Sequence, residues 1–157
     1  MPDRSGASAA PDGHEIVTTR VLDAPRALVF RAFTHAEHLA RWGGPKGFTN
    51  TFEEFEPQLG GVWRFVMHGP DGGRFQNEAV FEEIVPPEKI AFRRVTLPLF
   101  RTELALGDRG AQTLLVWRMI FATARERDNV RRFAAEANEQ NLDRLEAELS
   151  RMTGDGG

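Results

Sequence analysis

The feature that most constrains the fold is a long amphipathic segment at the C-terminal end of the sequence. Thr123 followed by Glu126 has the pattern of a capping box, which predicts that a helix begins there. Apolar residues then recur at helical spacing for about seven turns. The predicted stripe contains Val130, Ala134, Ala137, Asn141, Leu145 and Met152, flanked by Phe133 and Leu149. Such a helix needs another layer of structure to cover its apolar face.

The segments before this helix predict an antiparallel sheet. Short runs rich in β-branched and aromatic residues are separated by glycine and proline turns. The predicted strands are 14–22, 48–55, 62–68, 75–85, 89–95, 99–106 and 113–121. In two of these strands the bulky residues occupy alternate positions, so that one face of the sheet turns toward the core. These residues are Trp63, Phe65 and Met67 in one strand, and Leu115, Trp117, Met119 and Phe121 in the other.

Two short helices are predicted after the first strand. Asp23 before Pro25 has the pattern of an N-cap followed by a proline in the first turn. Thr34 and Glu37 form a second capping-box pattern, and the glycine-rich run after Trp42 ends that helix. The whole order predicts an α+β domain, in which a curved antiparallel sheet of six or seven strands wraps around the long C-terminal helix.

The domain limits follow from composition. A chain of 157 residues is typical of one domain. Residues 1–13 and 153–157 are small and polar and are predicted to be flexible tails, which leaves residues 14–152 as the single domain. The sequence contains no secretory-signal pattern and no apolar run of membrane-spanning length. We therefore expect a cytoplasmic protein without a membrane span.

The composition excludes several classes of function. Without cysteine, thiolate catalysis and sulfur-bound metals are impossible, and the two lysines both lie beside predicted turns. The net charge of −3 is spread along the chain, which argues against a nucleic-acid-binding protein. The glycine-rich run at 43–47 follows a helix rather than a strand, so it does not predict a nucleotide site. No cofactor is expected.

Two groups of polar residues have side chains that can bind a metal or transfer a proton. His35 and His38 could share a metal, but no third ligand follows from spacing, so no metal site is predicted. Glu83 shares strand parity with Asn77 and Phe81, and inside an apolar pocket it could act as a general acid or base. The alternative for Glu83 is a hydrogen bond that fixes the following turn.

Asn141 is the polar exception on the apolar stripe of the long helix. A buried amide has to be hydrogen-bonded, or it costs about 1–3 kcal/mol. The amide either anchors a neighbouring loop, which we favour, or presents a polar group to a ligand.

The order of elements and five local strings resemble the bacterial single-domain proteins related to the activator of the heat-shock-protein-90 ATPase. The strings are Trp42-Gly43-Gly44-Pro45-Lys46-Gly47, Gly60-Gly61-Val62-Trp63-Arg64, Gly69-Pro70-Asp71-Gly72, Glu83-Ile84-Val85-Pro86-Pro87-Glu88-Lys89-Ile90 and Glu139-Gln140-Asn141-Leu142-Asp143-Arg144-Leu145. The resemblance covers about residues 14–150. The chain departs from the family at Gly43, where members often carry a second tryptophan, and at Ala79, where many carry glycine.

The resemblance implies a helix-grip fold of the START-like (SRPBCC, birch-pollen-allergen-like) kind, with a cavity for a hydrophobic ligand between the sheet and the long helix. We expect that cavity to be lined by Trp42, Trp63, Phe65, Met67, Asn77, Phe81, Phe92, Trp117, Met119, Phe121, Phe133, Ala137 and Asn141.

The favoured function is binding of a small hydrophobic or amphipathic ligand, including a lipid, without a specific activity that can be assigned. One alternative is a cyclase, dehydratase or hydrolase that uses the same pocket, although no catalytic residue is predicted. The other alternative is a chaperone-associated interaction module. A small apolar ligand is the expected partner, and a homodimer is possible.

Overall fold

The structure is a computed structural model that describes residues 14–156. The predicted tail at 1–13 lies outside the described residues. The elements are β1 (Glu15–Leu22), α1 (Arg26–Thr34), α2 (Ala36–Trp42), β2 (Thr49–Phe55), β3 (Val62–His68), β4 (Arg74–Val85), β5 (Lys89–Arg94), β6 (Arg101–Arg109), β7 (Gln112–Ile120) and α3 (Ala124–Gly156).

The sheet has seven strands in the order β1-β7-β6-β5-β4-β3-β2, and every neighbouring pair is antiparallel. β1 and β2 are therefore its two edge strands, and the concave face wraps around α3. This arrangement confirms the predicted α+β helix-grip fold, with two short helices after the first strand.

The turn between β2 and β3 requires a glycine. A Cβ atom on Gly61 would lie 1.9 Å from the carbonyl oxygen of Glu56, so no larger residue fits without moving the backbone. The turn is also bonded to β4. The Gly60 N–H donates to the Phe81 carbonyl at 2.8 Å, and the Phe81 N–H donates to the Gly61 carbonyl at 2.9 Å. The turn thereby positions the start of β3 beside the middle of β4.

The two predicted caps of the short helices are wrong. Pro25 occupies the N-cap position of α1, and no side chain caps that helix, so Asp23 does not have the predicted role. His35 precedes α2, while the hydroxyl of Thr34 donates to the Phe30 carbonyl at 2.8 Å in the preceding helix. Thr34 is the last residue of α1, so its hydroxyl bonds to a carbonyl in the preceding turn of α1 and does not cap the N–H groups at the start of α2.

The start of α3 agrees with the predicted capping box. The Glu126 N–H donates to the Thr123 hydroxyl at 3.1 Å, and the Glu126 carboxylate lies 3.1 Å from the same hydroxyl. The helix is longer than predicted, because its 33 residues continue past Met152 to Gly156.

The C-terminal half of α3 forms the centre of the core. Leu142, Leu145 and Leu149 are buried and pack in one cluster with Leu22 and Leu115 of the sheet. No helix within residues 14–156 combines the length and the apolar character that crossing a membrane needs.

Ion pairs attach α3 to the edge strand β1. The Arg20 guanidinium lies 2.5 Å from Glu139, 2.9 Å from Asp143 and 3.3 Å from Glu146, all of them carboxylates of α3. Because several charges act together, this network fixes the helix more firmly than a single exposed pair would.

A buried carboxylate joins α3 to α2. The Glu148 side chain is 5 % exposed and accepts a hydrogen bond from His38 Nδ1 at 2.8 Å and one from Arg151 Nη2 at 2.7 Å. Arg41 lies 3.6 Å from the same carboxylate. Burial alone would raise the pKa of Glu148, but the hydrogen bonds from Arg151 and His38 and the charge of Arg41 outweigh it and lower that pKa below its usual value of 4.5.

We predict that Glu148→Gln destabilises the protein by about 1–3 kcal/mol at neutral pH. A carboxyl whose pKa is lowered by folding stabilises the native state above its unfolded pKa, and that stabilisation disappears as the pH falls through the folded pKa. The difference in unfolding free energy between the two proteins should therefore be full at pH 7 and shrink below the usual pKa of 4.5. Urea unfolding across this pH range measures it.

Glu136→Gln is the matched control, because Glu136 is an exposed residue of the same helix. It should change the unfolding free energy by less than about 0.5 kcal/mol at any of these pH values. A Glu148→Gln effect that is independent of pH would contradict the electrostatic origin of the stabilisation.

Candidate functional site

A cavity of about 740 Å³ lies between the concave face of the sheet and α3. This volume is within the range of small-molecule sites in proteins. Every predicted pocket residue except Phe121 lines the cavity: Trp42, Trp63, Phe65, Met67, Asn77, Phe81, Phe92, Trp117, Met119, Phe133, Ala137 and Asn141. The structure thus brings these side chains together, while their contact with a ligand stays a prediction.

The sheet side of the cavity is an aromatic wall, by which we mean Trp63, Phe65, Phe81 and Phe92. The ring of Trp63 stacks on Phe65 with centroids 4.5 Å apart and lies nearly parallel to Phe81 at 6.3 Å. Its edge meets Phe92 at 5.3 Å. The wall forms because alternate residues of three adjacent antiparallel strands point to the same face.

The short helices contribute a further part of the lining. The Trp42 indole donates to the Ala32 carbonyl at 3.0 Å and meets Phe33 edge to face at 4.9 Å. Its polar atom is thereby satisfied, and its apolar ring is left to border the cavity with Phe33.

The helix side of the cavity is formed by small residues of α3. Ala134 and Ala137 line it and leave space that larger side chains would fill. Asn138, also in the lining, is buried and donates from Nδ2 to the Thr18 hydroxyl at 3.2 Å, close to the sulfur of Met119 at 3.5 Å. The buried amide of α3 is therefore Asn138, which links the helix to β1.

Asn141 does not anchor a loop, so the favoured interpretation of this residue is wrong. It is half-buried at the cavity wall, and its Nδ2 donates to the Ala137 carbonyl of its own helix at 3.1 Å. The buried face of α3 is rotated slightly from the predicted stripe, which moves Asn141 to its border.

Arg144 anchors the loop instead. Its Nη1 lies 3.1 Å from the Gly43 carbonyl, 2.8 Å from that of Gly44 and 2.9 Å from that of Pro45, and its Nη2 lies 2.7 Å from the Arg41 carbonyl. Burial lowers the pKa of Arg144, and the carbonyl oxygens at the end of α2 stabilise its positive charge.

The same loop is attached to the sheet. The Asn50 side chain of β2 donates to the carbonyl of Gly43 at 2.8 Å and lies 3.3 Å from that of Ala40. The Gly43 carbonyl therefore receives hydrogen bonds from both β2 and α3. A Cβ atom on Gly43 would lie 3.0 Å from the Leu39 carbonyl oxygen. The backbone is therefore tightly packed at this glycine, which stands where the related proteins often carry a second tryptophan.

The mouth of the cavity lies at the end of the sheet where the chain leaves β3, β5 and β7. Three of its lining side chains are largely exposed there: Leu97 (81 %), Phe133 (69 %) and Phe75 (51 %). The opposite end of the interior is closed by the leucine cluster around Leu142. The cavity therefore has an open end with an apolar rim and a closed apolar end.

Glu83 lies outside the cavity. The register between β4 and β5 shifts between Phe81 and Glu83, and this bulge breaks the alternation that would have turned Glu83 toward the pocket. The carboxylate of Glu83 lies 3.1 Å from Lys89 and 3.8 Å from Arg101 on the outer face.

Phe121 and the two histidines also lie away from the cavity. Phe121 packs against Phe100 at 5.2 Å and borders a smaller depression of about 350 Å³. His38 bonds to Glu148, and His35 Nδ1 lies 3.2 Å from the Arg31 carbonyl. The side chains of residues 14–154 contain no cluster of three with metal-ligand chemistry.

The cavity carries positive charge. Among the described residues Arg74 and Arg94 line it, and no aspartate or glutamate does. Two further donors are unsatisfied, because the ring N–H groups of Trp63 and Trp117 are buried without a hydrogen-bond partner in the part of the chain that is described.

The sequence interpretation missed Arg94, Asn138 and Arg144. Arg94 could have been found, because it follows Phe92 at the same strand parity. The role of Asn138 depends on the rotation of α3 by a fraction of a turn, and no local pattern reports that rotation.

We predict opposite effects for the two asparagines. Asn138→Leu removes a buried hydrogen bond to Thr18 and should lower the unfolding free energy by about 1–3 kcal/mol. Asn141→Leu replaces an amide that bonds only within its own helix, and leucine has the higher helix propensity, so stability should stay equal or rise slightly. Urea unfolding compares the two, and equal losses would contradict the assignment.

The architecture is shared with solved bacterial proteins. A protein from Nitrosomonas europaea superposes with a TM-score of 0.85 at 21% identity, over 92% of this chain and 99% of that chain. A protein from Rhodobacter sphaeroides superposes with a TM-score of 0.82 at 23% identity, over 92% and 97%. The AHSA1 protein from Silicibacter pomeroyi gives 0.74 at 17% identity, over 88% and 99%. These similarities concern the fold.

No curated protein matches the sequence. Residues 23–150 match the family described as "Activator of Hsp90 ATPase homolog 1-like protein". This match covers most of the chain, from the end of β1 through the leucine cluster of α3. The chain therefore belongs to the AHSA1 family of START-like, helix-grip proteins.

Proposed function

We propose that the protein binds a small hydrophobic or amphipathic molecule in the cavity between the sheet and α3. The observation that carries this proposal is the cavity of about 740 Å³ itself, which has an aromatic wall on one side and Ala134 and Ala137 on the other. Small-molecule sites are usually concave, mostly apolar and equipped with a few polar groups, and this cavity has those properties.

The lining favours an apolar partner on energetic grounds. Each square ångström of apolar ligand surface removed from water contributes about 25 cal/mol. A ligand that buries about 400 Å² would therefore gain roughly 10 kcal/mol before the costs of association are subtracted. Those costs reduce the net value, so we expect dissociation constants in the micromolar range for simple apolar probes.

The composition of the lining disfavours an enzyme that uses a pocket carboxylate. No aspartate or glutamate lines the cavity among residues 14–154, and Glu83 forms ion pairs on the outer face. General acid–base catalysis needs a titrating group within hydrogen-bond reach of the substrate. The cavity instead offers arginine, asparagine and indole groups, which suit recognition.

The exposed apolar residues at the mouth also agree with ligand binding. Phe75, Leu97 and Phe133 all line the cavity as well as facing solvent, so together they form its entrance. Because these three residues belong to the entrance of the cavity, their exposure does not favour the chaperone-associated alternative over ligand binding.

We predict that Ala137→Trp weakens the binding of an apolar probe. Ala137 lines the cavity, so an indole at this position would occupy space that a ligand needs. Affinity for a neutral probe such as dodecan-1-ol should fall about tenfold or more, which corresponds to the loss of roughly 1.4 kcal/mol of binding free energy. Isothermal titration calorimetry measures it without relying on tryptophan fluorescence, which the substitution changes.

Ala135→Trp is the matched control, because Ala135 lies on the exposed face of the same helix and does not line the cavity. This variant should bind the probe with an affinity within about twofold of the original. Unchanged binding in a folded Ala137→Trp variant would place the site elsewhere.

A further inference from the structure

Arg94 is placed to meet a ligand inside the cavity. It is the last residue of β5, where it pairs with Ala79 of β4, and Ala79 in turn pairs with Trp63 of β3. The three residues form one row across the concave face, and all three line the cavity. The small side chain of Ala79 leaves space between the guanidinium of Arg94 and the ring of Trp63.

The hydrogen bonds of Arg94 use only part of its guanidinium. Nε donates to the Pro98 carbonyl at 2.9 Å, and Nη2 lies 3.1 Å from both the Thr96 hydroxyl and the Leu97 carbonyl. These contacts hold the loop between β5 and β6. Nη1 has no partner among the described residues, so two of the five guanidinium donors remain for another molecule.

No described carboxylate compensates the charge of Arg94, although its guanidinium carbon lies 5.4 Å from the centroid of the Phe100 ring. Among the side chains of residues 14–154 no carboxylate lies within ion-pair distance of Arg94, whereas its neighbour Arg93, on the outer face, lies 2.9 Å from Glu82. Burial lowers the pKa of Arg94, yet a guanidinium stays protonated in proteins. A partly buried positive charge without an anion is costly, and an anionic ligand group would compensate it.

The position of Arg94 also orients a bound molecule. Because β5 ends at the open end of the interior, Arg94 lies nearer the mouth than Ile90 and Leu104, which line the deeper part of the cavity. An amphiphile that enters with its tail first would place an apolar chain along the aromatic wall and leave its head group beside Arg94.

We propose that the ligand is an amphiphile with a monoanionic carboxylate head group, which binds the free Nη1 of Arg94 while the apolar tail lies along the aromatic wall. This inference rests on the proposed function of the cavity. Arg94 is the partly buried guanidinium of the lining, whereas Arg74 is exposed to water. One free nitrogen on a partly buried guanidinium matches a single negative charge, which favours a carboxylate over a dianionic phosphate. The unsatisfied ring N–H of Trp63, in the same row, is a further donor on this side of the cavity.

The test compares probes with the same tail and different heads. Isothermal titration calorimetry at neutral pH and below the micellar concentration measures dodecanoate, dodecan-1-ol and dodecyl phosphate on the full-length protein. We expect dodecanoate to bind about tenfold or more tightly than dodecan-1-ol, as charge-assisted hydrogen bonds predict. Dodecyl phosphate should bind no more tightly than dodecanoate.

Two matched variants assign the preference to Arg94. Arg94→Gln removes the charge and should weaken dodecanoate binding about tenfold or more, while the affinity for dodecan-1-ol stays within about twofold. Arg93→Gln removes the same charge from the opposite face of the same strand and should leave the preference unchanged. Arg94→Lys keeps the charge without the planar guanidinium and should retain part of the preference.

The outcomes separate this inference from the proposed function. Equal binding of dodecanoate and dodecan-1-ol by the unsubstituted protein would overturn the carboxylate head group and leave the apolar site intact. Tighter binding of dodecyl phosphate would overturn the choice of carboxylate. A full preference in folded Arg94→Gln would overturn the role of Arg94. If Arg94→Gln did not fold, an undiminished preference in Arg94→Lys would overturn that role instead. No binding of any probe would overturn the proposed function as well.

Discussion

The packing of α3 against the concave face of the sheet is the interaction on which the rest of the structure depends. In the C-terminal half of the helix, Leu142, Leu145 and Leu149 bury their side chains in the main core. In the N-terminal half, Ala134 and Ala137 face the same sheet but do not fill the distance to it. The leucines stabilise the fold by burial of apolar surface, and the alanines leave the cavity. One helix therefore provides both the stability and the candidate site.

The polar side chains of the sheet make different contacts on its two faces. On the outer face, arginines and glutamates of neighbouring strands pair with each other, as Arg64 does with Glu54 at 2.9 Å and Arg118 with Glu15 at 3.1 Å. On the concave face, the polar residues either hold the helix, as Asn138 does, or remain incompletely satisfied at the cavity, as Arg94 does. Arginines of the outer face such as Arg64 and Arg118 thus have carboxylate partners, whereas Arg94, where we propose that a ligand binds, has none among the described side chains.

Much of the fold could be predicted from the sequence, because the periodicities of strands and helices are local properties. The alternating aromatic residues of β3 gave the cavity-lining face directly, and Thr123 with Glu126 gave the start of α3. Strand parity left a pocket position open for Glu83, but a bulge changes that parity, and a bulge depends on pairing with another strand. Asn141 is less buried than its place on the stripe predicts, because a stripe read at ideal helical spacing does not report how the helix is rotated against the sheet.

The two attachments of α3 have a geometric consequence. The edge strands β1 and β2 do not pair with each other, so hydrogen bonds between strands do not close the sheet into a barrel. Instead, Arg20 connects β1 to α3, and the Gly43 carbonyl is shared by Asn50 of β2 and Arg144 of α3. The curved sheet is thus an open arc whose two ends are the edge strands, and α3 links those ends through these contacts. The gap that strand pairing would close to about 4.8 Å is instead occupied by α3 beside β1 and by α2 beside β2, and these helices give the interior its width.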